Sequence, residues 1–334
     1  MKAQVLHAHG AIDDITLETD WPDPTPGEGQ VVLRVRACTL NYHDIFTLRG
    51  MPGIKVPMPI IMGIDLAGDI AEIGPDVEGW SVGDRVVIDP IDRKRGKLQG
   101  EMMDGGLAEY VRVEAEQLVA LPDAIDYADA AALPCAYGTA YRMMITRGRI
   151  AAGEKVLILG ASGGVGTCCV QLARMAGAHV IAASSSDEKI AKLAGLGADD
   201  GINYAEQDFM PQVHERFGKP RVWGEGGVDV VVNFTGGDTW VPSIRCLTRG
   251  GRLLTCGATA GFDPKEDIRY IWTFEHNIMG SNGWEKSDIT ALLELVGTAK
   301  LRPVVEERLP LEETRAAFRI LEERRVFGKI AIIP

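Results

Sequence analysis

The amino-acid sequence predicts an α/β protein in which a doubly wound parallel sheet accompanies a second, β-rich domain. From Lys155 onwards, short and uniformly apolar strands alternate with helical segments, which is typical of a parallel sheet covered on both faces. Before Pro122, short strands are separated by glycine and proline, as in a compact barrel-like β domain. A chain of 334 residues is also long enough for about two domains.

Each predicted element rests on local pattern. The β-rich part has strands over Gln30–Ala37, Gly83–Ile88 and Gly105–Val113, and Ala128–Leu133 is predicted to be helical. The α/β part has predicted strands over Val156–Leu159, His179–Ala183, Gly201–Tyr204, Val228–Phe234 and Gly251–Gly257. Its predicted helices are Val165–Ala176, Glu188–Leu196 and residues 285–299. The last strand, Gly328–Ile333, needs a sheet to join, and we expect it in the N-terminal β domain.

Composition limits the possible partners. The net charge of −12 would repel a phosphate backbone, so we expect no nucleic-acid partner. No window holds about 18 consecutive uncharged apolar residues, so we expect no membrane span. The first residues lack the apolar core of a signal peptide, and the six cysteines are sparse. We therefore expect a cytoplasmic protein with reduced thiols.

A glycine-rich turn links the first strand of the α/β part to a helix. It comprises Gly160, Ala161, Ser162, Gly163, Gly164, Val165 and Gly166. Backbone amides in such a turn, together with the helix N-terminus, can hold a pyrophosphate. The position after a strand and inside a repeated β-α-β pattern supports dinucleotide binding over a tight turn without a ligand.

The end of the second strand distinguishes the two nicotinamide cofactors. An NAD site usually places an acidic residue there to accept from the ribose 2′-hydroxyl. This chain has Ser184 and Ser185 instead, while Ser186 and the acids that follow it indicate the start of a helix. The small hydroxyls favour NADPH over NADH. We also predict cofactor contacts at Phe234, Gly257 and Ala258, where the fourth and fifth strands end.

The whole chain resembles the medium-chain dehydrogenases/reductases. The motifs that carry the resemblance are Gly83-Asp84-Arg85-Val86-Val87, Asp104-Gly105-Gly106-Leu107-Ala108-Glu109-Tyr110, the glycine turn and Gly250-Gly251-Arg252. The resemblance implies a Rossmann domain inserted into a GroES-like catalytic domain. It implies GroES-like residues 1–123, a Rossmann domain over 124–264, and residues 265–334 as the edge of the Rossmann sheet followed by a return to the catalytic domain. It also implies a homodimer that pairs through the edge strand near Asn277–Ser281.

Most alcohol dehydrogenases of this family bind a catalytic zinc, and the resemblance allows each ligand position to be tested. The first cysteine falls at Asn41 and the histidine at Ile64, and only the last cysteine survives, as Cys135. The segment that would hold a structural zinc, near residues 90–104, contains no cysteine. We therefore expect no bound metal.

Leu40-Asn41-Tyr42-His43-Asp44 and Gly63-Ile64-Asp65-Leu66-Ala67-Gly68 instead resemble the zinc-free branch of quinone oxidoreductases and enoyl- or acryloyl-CoA reductases. In quinone oxidoreductases a lysine of the second helix and a tyrosine after the third strand meet the 2′-phosphate, and Lys189 and Tyr204 stand at those places. Thr139 matches a threonine near the nicotinamide, and Ser281 and Asn282 match the loop beside its carboxamide. A helix-start threonine and a surface turn are the structural alternatives.

The implied reaction is hydride addition to an activated C=C or a quinone of a small-molecule substrate. The Asn41 amide is the candidate for positioning the substrate, Tyr42 and His43 are rival proton donors, and Asp44 orients the loop, while purely structural roles remain open. The basic run Arg93–Lys97 would suit the phosphates of an acyl-CoA or be a solvated loop. Alternative functions are an alcohol dehydrogenase with another catalytic arrangement and a protein that binds NADPH without catalysis.

Overall fold

The computed structural model describes residues 1–334, which form two compact units. Unit 1 comprises Met1–Tyr137 and Ile289–Pro334, and unit 2 comprises Gly138–Asp288. The first limit lies later than the predicted bound of 123, whereas the segment after residue 264 contains the edge strand expected there. Residues 124–137 belong to unit 1 because they are bonded to its strands: the Thr39 hydroxyl donates to the Ala131 carbonyl over 2.9 Å. Residues 265–288 belong to unit 2 because they contribute a strand to its sheet.

Unit 1 is built mainly from antiparallel strands. Its first part contains β1 Ala3–Leu6, β2 Ile15–Glu18, β3 Gln30–Thr39, α1 Tyr42–Arg49, β4 Ile60–Ile61, β5 Asp65–Ile73, β6 Arg85–Ile88, β7 Ile91–Asp92, β8 Lys97–Leu98, β9 Tyr110–Glu114, β10 Leu118–Ala120 and α2 Tyr127–Ala131. The predicted strand over Gly105–Val113 begins only at Tyr110. At Gly105 a Cβ atom would lie 2.3 Å from the Gly63 carbonyl oxygen, so this stretch packs against another backbone segment.

Unit 2 has the alternating architecture that the apolar strands predict. It contains α3 Gly138–Tyr141, β11 Lys155–Leu159, α4 Gly164–Met175, β12 His179–Ser184, α5 Asp187–Gly195, β13 Asp200–Asn203, α6 Phe209–Phe217, β14 Val228–Val232, α7 Trp240–Cys246, β15 Leu247–Thr255, α8 Ile268–Thr273 and β16 Asn277–Gly280, and α9 Lys286–Gly297 spans the boundary between the units. All six strands are parallel, in the order β13-β12-β11-β14-β15-β16. The predicted edge position of Asn277–Gly280 is confirmed.

The chain then returns to unit 1 through β17 Val305–Pro310, α10 Thr314–Glu322 and β18 Lys329–Ile333. Strand β18 pairs antiparallel with β3, with Ala331 opposite Thr39 and Ile332 opposite Cys38. The main sheet of unit 1 has the order β10-β6-β5-β3-β18-β17, and β9 also pairs with β3. The last strand therefore joins the N-terminal sheet, as the sequence predicts.

Each unit has its own apolar core. In unit 1, buried side chains of β3, β5 and β6 meet those of the closing segments, including Phe318 and Ile332. In unit 2, one core cluster lies between the parallel sheet and α6 and α7, around Leu157, Val231 and Ile244. No helix combines the length and the apolar character that crossing a bilayer requires. None of the six cysteines forms a disulfide bond.

Candidate functional site

A buried cluster of polar side chains lies in unit 1, and we call Asn41, Asp65 and Lys329 the polar cluster. The Lys329 ammonium donates to Asn41 Oδ1 over 2.5 Å and lies 3.5 Å from Asp65 Oδ2. Asn41 Nδ2 donates to the same Asp65 oxygen over 2.9 Å. The other Asp65 oxygen accepts from the backbone N–H of Cys135 over 2.9 Å. Each side chain of the cluster is thus held by the other two.

Strand register brings these residues together. Asp65 is the first residue of β5 and pairs with Thr39, the last residue of β3. Lys329 is the first residue of β18, which runs along the other side of β3. Asn41 follows β3 directly and caps α1, where its backbone N–H donates to Asp44 Oδ2 over 2.7 Å. The Asn41 side chain turns towards Asp65 and Lys329.

Burial dominates the electrostatics of the two nearby carboxyl groups. Desolvation raises the pKa of Asp65, although Lys329, Asn41 and the Cys135 N–H oppose that change. Desolvation also raises the pKa of Asp44 to about 6, against the bond from the Asn41 backbone and the charges of His43 and Lys329. Asp44 Oδ1 is buried without a hydrogen-bond partner. The Lys329 cation therefore compensates an otherwise acidic interior.

His43 has a carboxylate partner that the sequence analysis missed. Its Nε2 lies 2.6 Å from Oε2 of Glu101, whose side chain is only 3% exposed, whereas the imidazole is 31% exposed. Burial lowers the pKa of His43, but the hydrogen bond and charge of Glu101 outweigh it, and the net pKa is raised. The contact with Glu101 therefore favours the protonated form of an imidazole that is partly exposed. No local motif marks Glu101, because its partner lies 58 residues earlier in the chain.

Tyr42, the rival proton donor, lies against the apolar core of unit 1, and His43 also meets Phe46 edge to face, at 6.2 Å between centroids. The Tyr42 ring meets Phe46 edge to face at 5.3 Å between centroids. This packing gives the ring a structural role beside its candidate catalytic one. Between the two rivals, only His43 has a buried carboxylate that stabilises its protonated form.

In unit 2 the glycine turn has the geometry of a phosphate-binding site. Helix α4 begins at Gly164, so the amides of its first turn have no partners inside the helix. A Cβ atom at Gly166 would lie 2.4 Å from the Gly160 carbonyl oxygen, which requires glycine at this place. At Gly163 the nearest atom would be 3.7 Å away, so the backbone there is open to a ligand.

The remaining predicted cofactor residues lie at the same edge of the sheet, apart from Thr139, which is buried in α3. Because the strands are parallel, their carboxyl ends share one edge. The residues at or after those ends are Ala161, Ser162, Gly163, Gly164 and Val165 after β11, Ser184 and Ser185 at β12, Tyr204 after β13, Phe234 after β14, Gly257 and Ala258 after β15, and Ser281 and Asn282 after β16. The Ser281 hydroxyl is buried there without a hydrogen-bond partner.

The 2′-phosphate candidates divide into buried and accessible groups. The Ser184 hydroxyl is buried and donates to the Ser162 hydroxyl over 3.1 Å, so it fastens the glycine turn. Ser185 is exposed, and Tyr204 is 40% exposed and donates its backbone N–H to the Ser184 carbonyl. Lys189 lies in the first turn of α5. Ser185, Lys189 and Tyr204 therefore remain the candidates for phosphate contact.

Neither the basic run Arg93–Lys97 nor the cavity of unit 2 belongs to the candidate site. The basic run is paired internally: Arg93 with Asp89, Lys94 with Glu116 and Arg95 with Asp92. This pairing favours the solvated-loop interpretation over binding of acyl-CoA phosphates. A cavity of about 490 Å³ in unit 2 is lined by Leu247 and His276, at the amino ends of β15 and β16. It lies at the opposite edge of the sheet from the predicted cofactor residues.

The sequence of this chain matches two family models and several known proteins. One family model, described as alcohol dehydrogenase GroES-like domain, matches residues 27–123, and another, described as zinc-binding dehydrogenase, matches residues 164–298. The acryloyl-coenzyme A reductase of Sulfurisphaera tokodaii is 30% identical over 94% of this chain and 95% of its own length. The chain belongs to the medium-chain dehydrogenase/reductase superfamily. The predicted family and two-domain fold are confirmed.

Other members of this superfamily are equally similar. The NADPH-dependent alkenal/one oxidoreductase of Arabidopsis thaliana is 30% identical over all of this chain and 80% of its own length. The solved structure of an NAD-dependent alcohol dehydrogenase is 33% identical, with a TM-score of 0.91 and full coverage of both chains. The superfamily thus includes relatives with both cofactors and with more than one reaction.

The residues at the zinc-ligand positions of the superfamily do not fit a metal here. Ile64 is buried and has no donor atom, and Asn41 Oδ1 already accepts from the Lys329 ammonium. Cys135 is the one thiol at these positions, and no group of three or more His, Cys, Asp and Glu side chains is arranged to hold an ion. Tetrahedral zinc needs at least three protein ligands.

Proposed function

We propose that this protein is a zinc-independent, NADPH-dependent reductase that adds hydride to the activated C=C of an enone or enoyl thioester, or to a quinone. The observation that carries this function is the contact of His43 with buried Glu101, in a unit whose zinc-ligand positions do not form a complete ligand set. Reduction of a conjugated C=C needs a hydride and a proton, and it needs no Lewis acid on an alcohol oxygen. Relatives include an acryloyl-coenzyme A reductase and an alkenal/one oxidoreductase.

The residues at the carboxyl ends of the unit 2 strands fit NADPH. The open amides at the start of α4 hold the pyrophosphate, and the unpartnered Ser281 hydroxyl is free to bond a polar group of the ligand. No carboxylate follows β12 directly, and the Asp187 carboxylate accepts from the Asn203 side chain over 3.0 Å. Ser185, Lys189 and Tyr204 then accommodate the 2′-phosphate. When bound, NADPH supplies the hydride.

The chain's own contribution in unit 1 is a proton and an ordered loop. As hydride reaches the electrophilic carbon, negative charge builds on the conjugated oxygen, and one proton completes the reduction. The His43 imidazolium donates that proton, and Glu101 keeps the imidazole protonated. Both polar ends of Asn41 are engaged by Asp65 and Lys329, so Asn41 acts by fixing the start of α1, which carries His43.

A panel of substrates tests this function. The purified protein is given NADPH and quinones, enones or enoyl-CoA thioesters, and cofactor oxidation is followed at fixed protein concentration. We expect turnover with at least one conjugated carbonyl class. An alcohol dehydrogenase is the second candidate, because a structure of that name is 33% identical over the full chain. Oxidation of simple alcohols without reduction of any conjugated substrate would favour it, and binding of NADPH without either turnover would indicate a non-catalytic protein.

We also propose that the protein is a homodimer located in the cytoplasm. Strand β16 is the open edge of the unit 2 sheet, and its Ile278 is 41% exposed. Edge strands of this kind pair with another chain, and a homodimer through β16 would cover it. If light scattering at micromolar concentration gives the mass of a single chain, 36.1 kDa, the dimer is contradicted. Six cysteines without a disulfide suit the reducing cytoplasm.

A further inference from the structure

The cavity of unit 2 is lined by three cationic side chains, although the chain as a whole carries a net charge of −12. They are Lys219, Arg245 and Arg269, and Asp267 also lines the cavity. The two Asp267 oxygens accept from Nε and Nη2 of Arg269 over 2.9 and 2.8 Å. The volume of about 490 Å³ is within the range of small-molecule sites. The cavity therefore has the size and the charge of a site for a small anion.

Two carboxylates near these cations limit the charge of the ligand. Asp267 pairs with Arg269, and the charge of Arg245 opposes the rise that burial imposes on the pKa of Glu266. Three cations against two carboxylates leave one positive charge in excess. A ligand with a single negative charge balances that excess, whereas a dianion adds repulsion from the two carboxylates.

Two of the lining residues also have buried nitrogens without a hydrogen-bond partner. These are Nε of Arg245 and both ring nitrogens of His276, a residue that is only 9% exposed. Burial lowers the pKa of His276, and the backbone of Leu247 and Thr248 opposes that change, so the ring is neutral at pH 7 with one N–H to donate. Buried donors without acceptors are costly. A carboxylate can accept from both residues, one bond to each oxygen.

Aromatic rings beside these groups favour a flat ligand. The Arg245 guanidinium carbon lies 4.4 Å from the centre of the Tyr270 ring. Tyr270 stacks on Phe274 with 5.9 Å between centroids, and Phe274 stacks on His276 with 5.5 Å. Tyr270, Phe274 and Leu247 all line the cavity. An aromatic body packs well against such a set of rings.

We propose that this cavity is a second ligand site, which binds a small monocarboxylate with a flat aromatic body. The carboxylate accepts from Arg245 and His276, whose side chains rotate to present their buried nitrogens, and the body packs against Tyr270 and Phe274. The cavity lies at the opposite edge of the sheet from the predicted cofactor residues, so this ligand does not compete with NADPH. The inference does not depend on which reaction the enzyme catalyses.

Isothermal titration calorimetry with 2-naphthoate at pH 8 tests the site in the whole chain, with and without saturating NADPH. Naphthalene-2-carboxamide has nearly the same shape without the charge, and 2-naphthyl phosphate is a dianion. We expect one 2-naphthoate per chain, bound at least ~10-fold more tightly than either analogue, which is the scale of one hydrogen bond to a charged group. We expect NADPH to leave this affinity unchanged.

Variants locate the ligand in the cavity. Arg245→Met should weaken 2-naphthoate binding at least ~10-fold, and His276→Phe, which keeps an aromatic ring, about 3-fold or more. Thr273→Trp fills the cavity without changing its charge and should abolish binding. Arg174→Met is the matched control and should change nothing, since Arg174 is an exposed arginine of the same unit that pairs with Asp199.

Circular dichroism checks the folding of each variant, and Thr273→Trp keeps the test decisive if Arg245→Met unfolds. The inference is overturned by absence of saturable 2-naphthoate binding, by competition with NADPH, or by an analogue that binds as tightly. Equal affinity of the wild type and Thr273→Trp would overturn it as well. Because the readout is binding of 2-naphthoate, failure of this inference is distinguishable from failure of the proposed reductase activity.

Discussion

Replacing Glu101 with glutamine tests the proposed proton donor directly. The glutamine side chain keeps the size of the original and can still hydrogen-bond to His43, but it lacks the negative charge that lies 2.6 Å from Nε2. Burial, which lowers the pKa of His43, is then no longer outweighed. The imidazolium should deprotonate at lower pH than in the wild type. Because the donor must be protonated, activity should be lost earlier as the pH rises.

The magnitude follows from the contact. An opposite charge within about 4–6 Å shifts a pKa by roughly 1–3 units, and each unit is tenfold in the protonated fraction above the pKa. We expect kcat/KM of Glu101→Gln to fall roughly 5- to 50-fold at pH 8 and less than about 3-fold at pH 6. The assay is the pH dependence of kcat/KM with NADPH and the best conjugated substrate.

A matched variant separates local charge from general damage. Glu114→Gln removes a half-buried carboxylate that pairs with Arg95 in the same unit, and it should leave the profile in place. A second variant, His43→Gln, should abolish the alkaline limb. If Glu101→Gln and His43→Gln both keep the wild-type profile, the proton comes from water and the role assigned to this pair is wrong.

Three further predictions concern the cofactor, the loop and stability. NADPH should bind at least ~10-fold more tightly than NADH, about 1.4 kcal/mol, and Lys189→Ala should weaken NADPH more than NADH in fluorescence titrations; equal losses would contradict the phosphate role. Because Asn41 fixes the start of α1, which carries His43, Asn41→Ala should lower kcat by roughly 10- to 100-fold with NADPH affinity nearly unchanged, and an intact kcat would show that the loop needs no such support. Asp44, with its pKa raised from 3.8 to about 6, costs stability as the pH rises through that window. Asp44→Asn should flatten the fall and raise the free energy of unfolding at pH 8 by about 1–3 kcal/mol, measured by urea denaturation at about pH 4.5 and 8; an unchanged pH dependence would contradict this.

The two halves of the site differ in how far the sequence could predict them. Most of the predicted cofactor residues follow the carboxyl ends of successive strands. The regular β-α repeat is enough to predict that those ends lie together. Even there, sequence could not tell that the Ser184 hydroxyl faces Ser162, because side-chain direction depends on packing. The predicted strand over Gly105–Val113 is too long for a similar reason, since the Gly63 backbone that packs against Gly105 is distant in the chain.

The sequence by itself determined the α/β class, the superfamily, the glycine turn and the absence of a complete zinc-ligand set, because each is written in local pattern or residue identity. Only the tertiary structure decided which groups surround Asn41 and His43. Lys329 lies 288 residues from Asn41, and Glu101 lies 58 residues from His43. The pairing of β18 and β5 with β3 brings Lys329 to Asn41. Long-range register of this kind depends on the packing of whole strands, so neighbouring residues in the chain carry no signal of it.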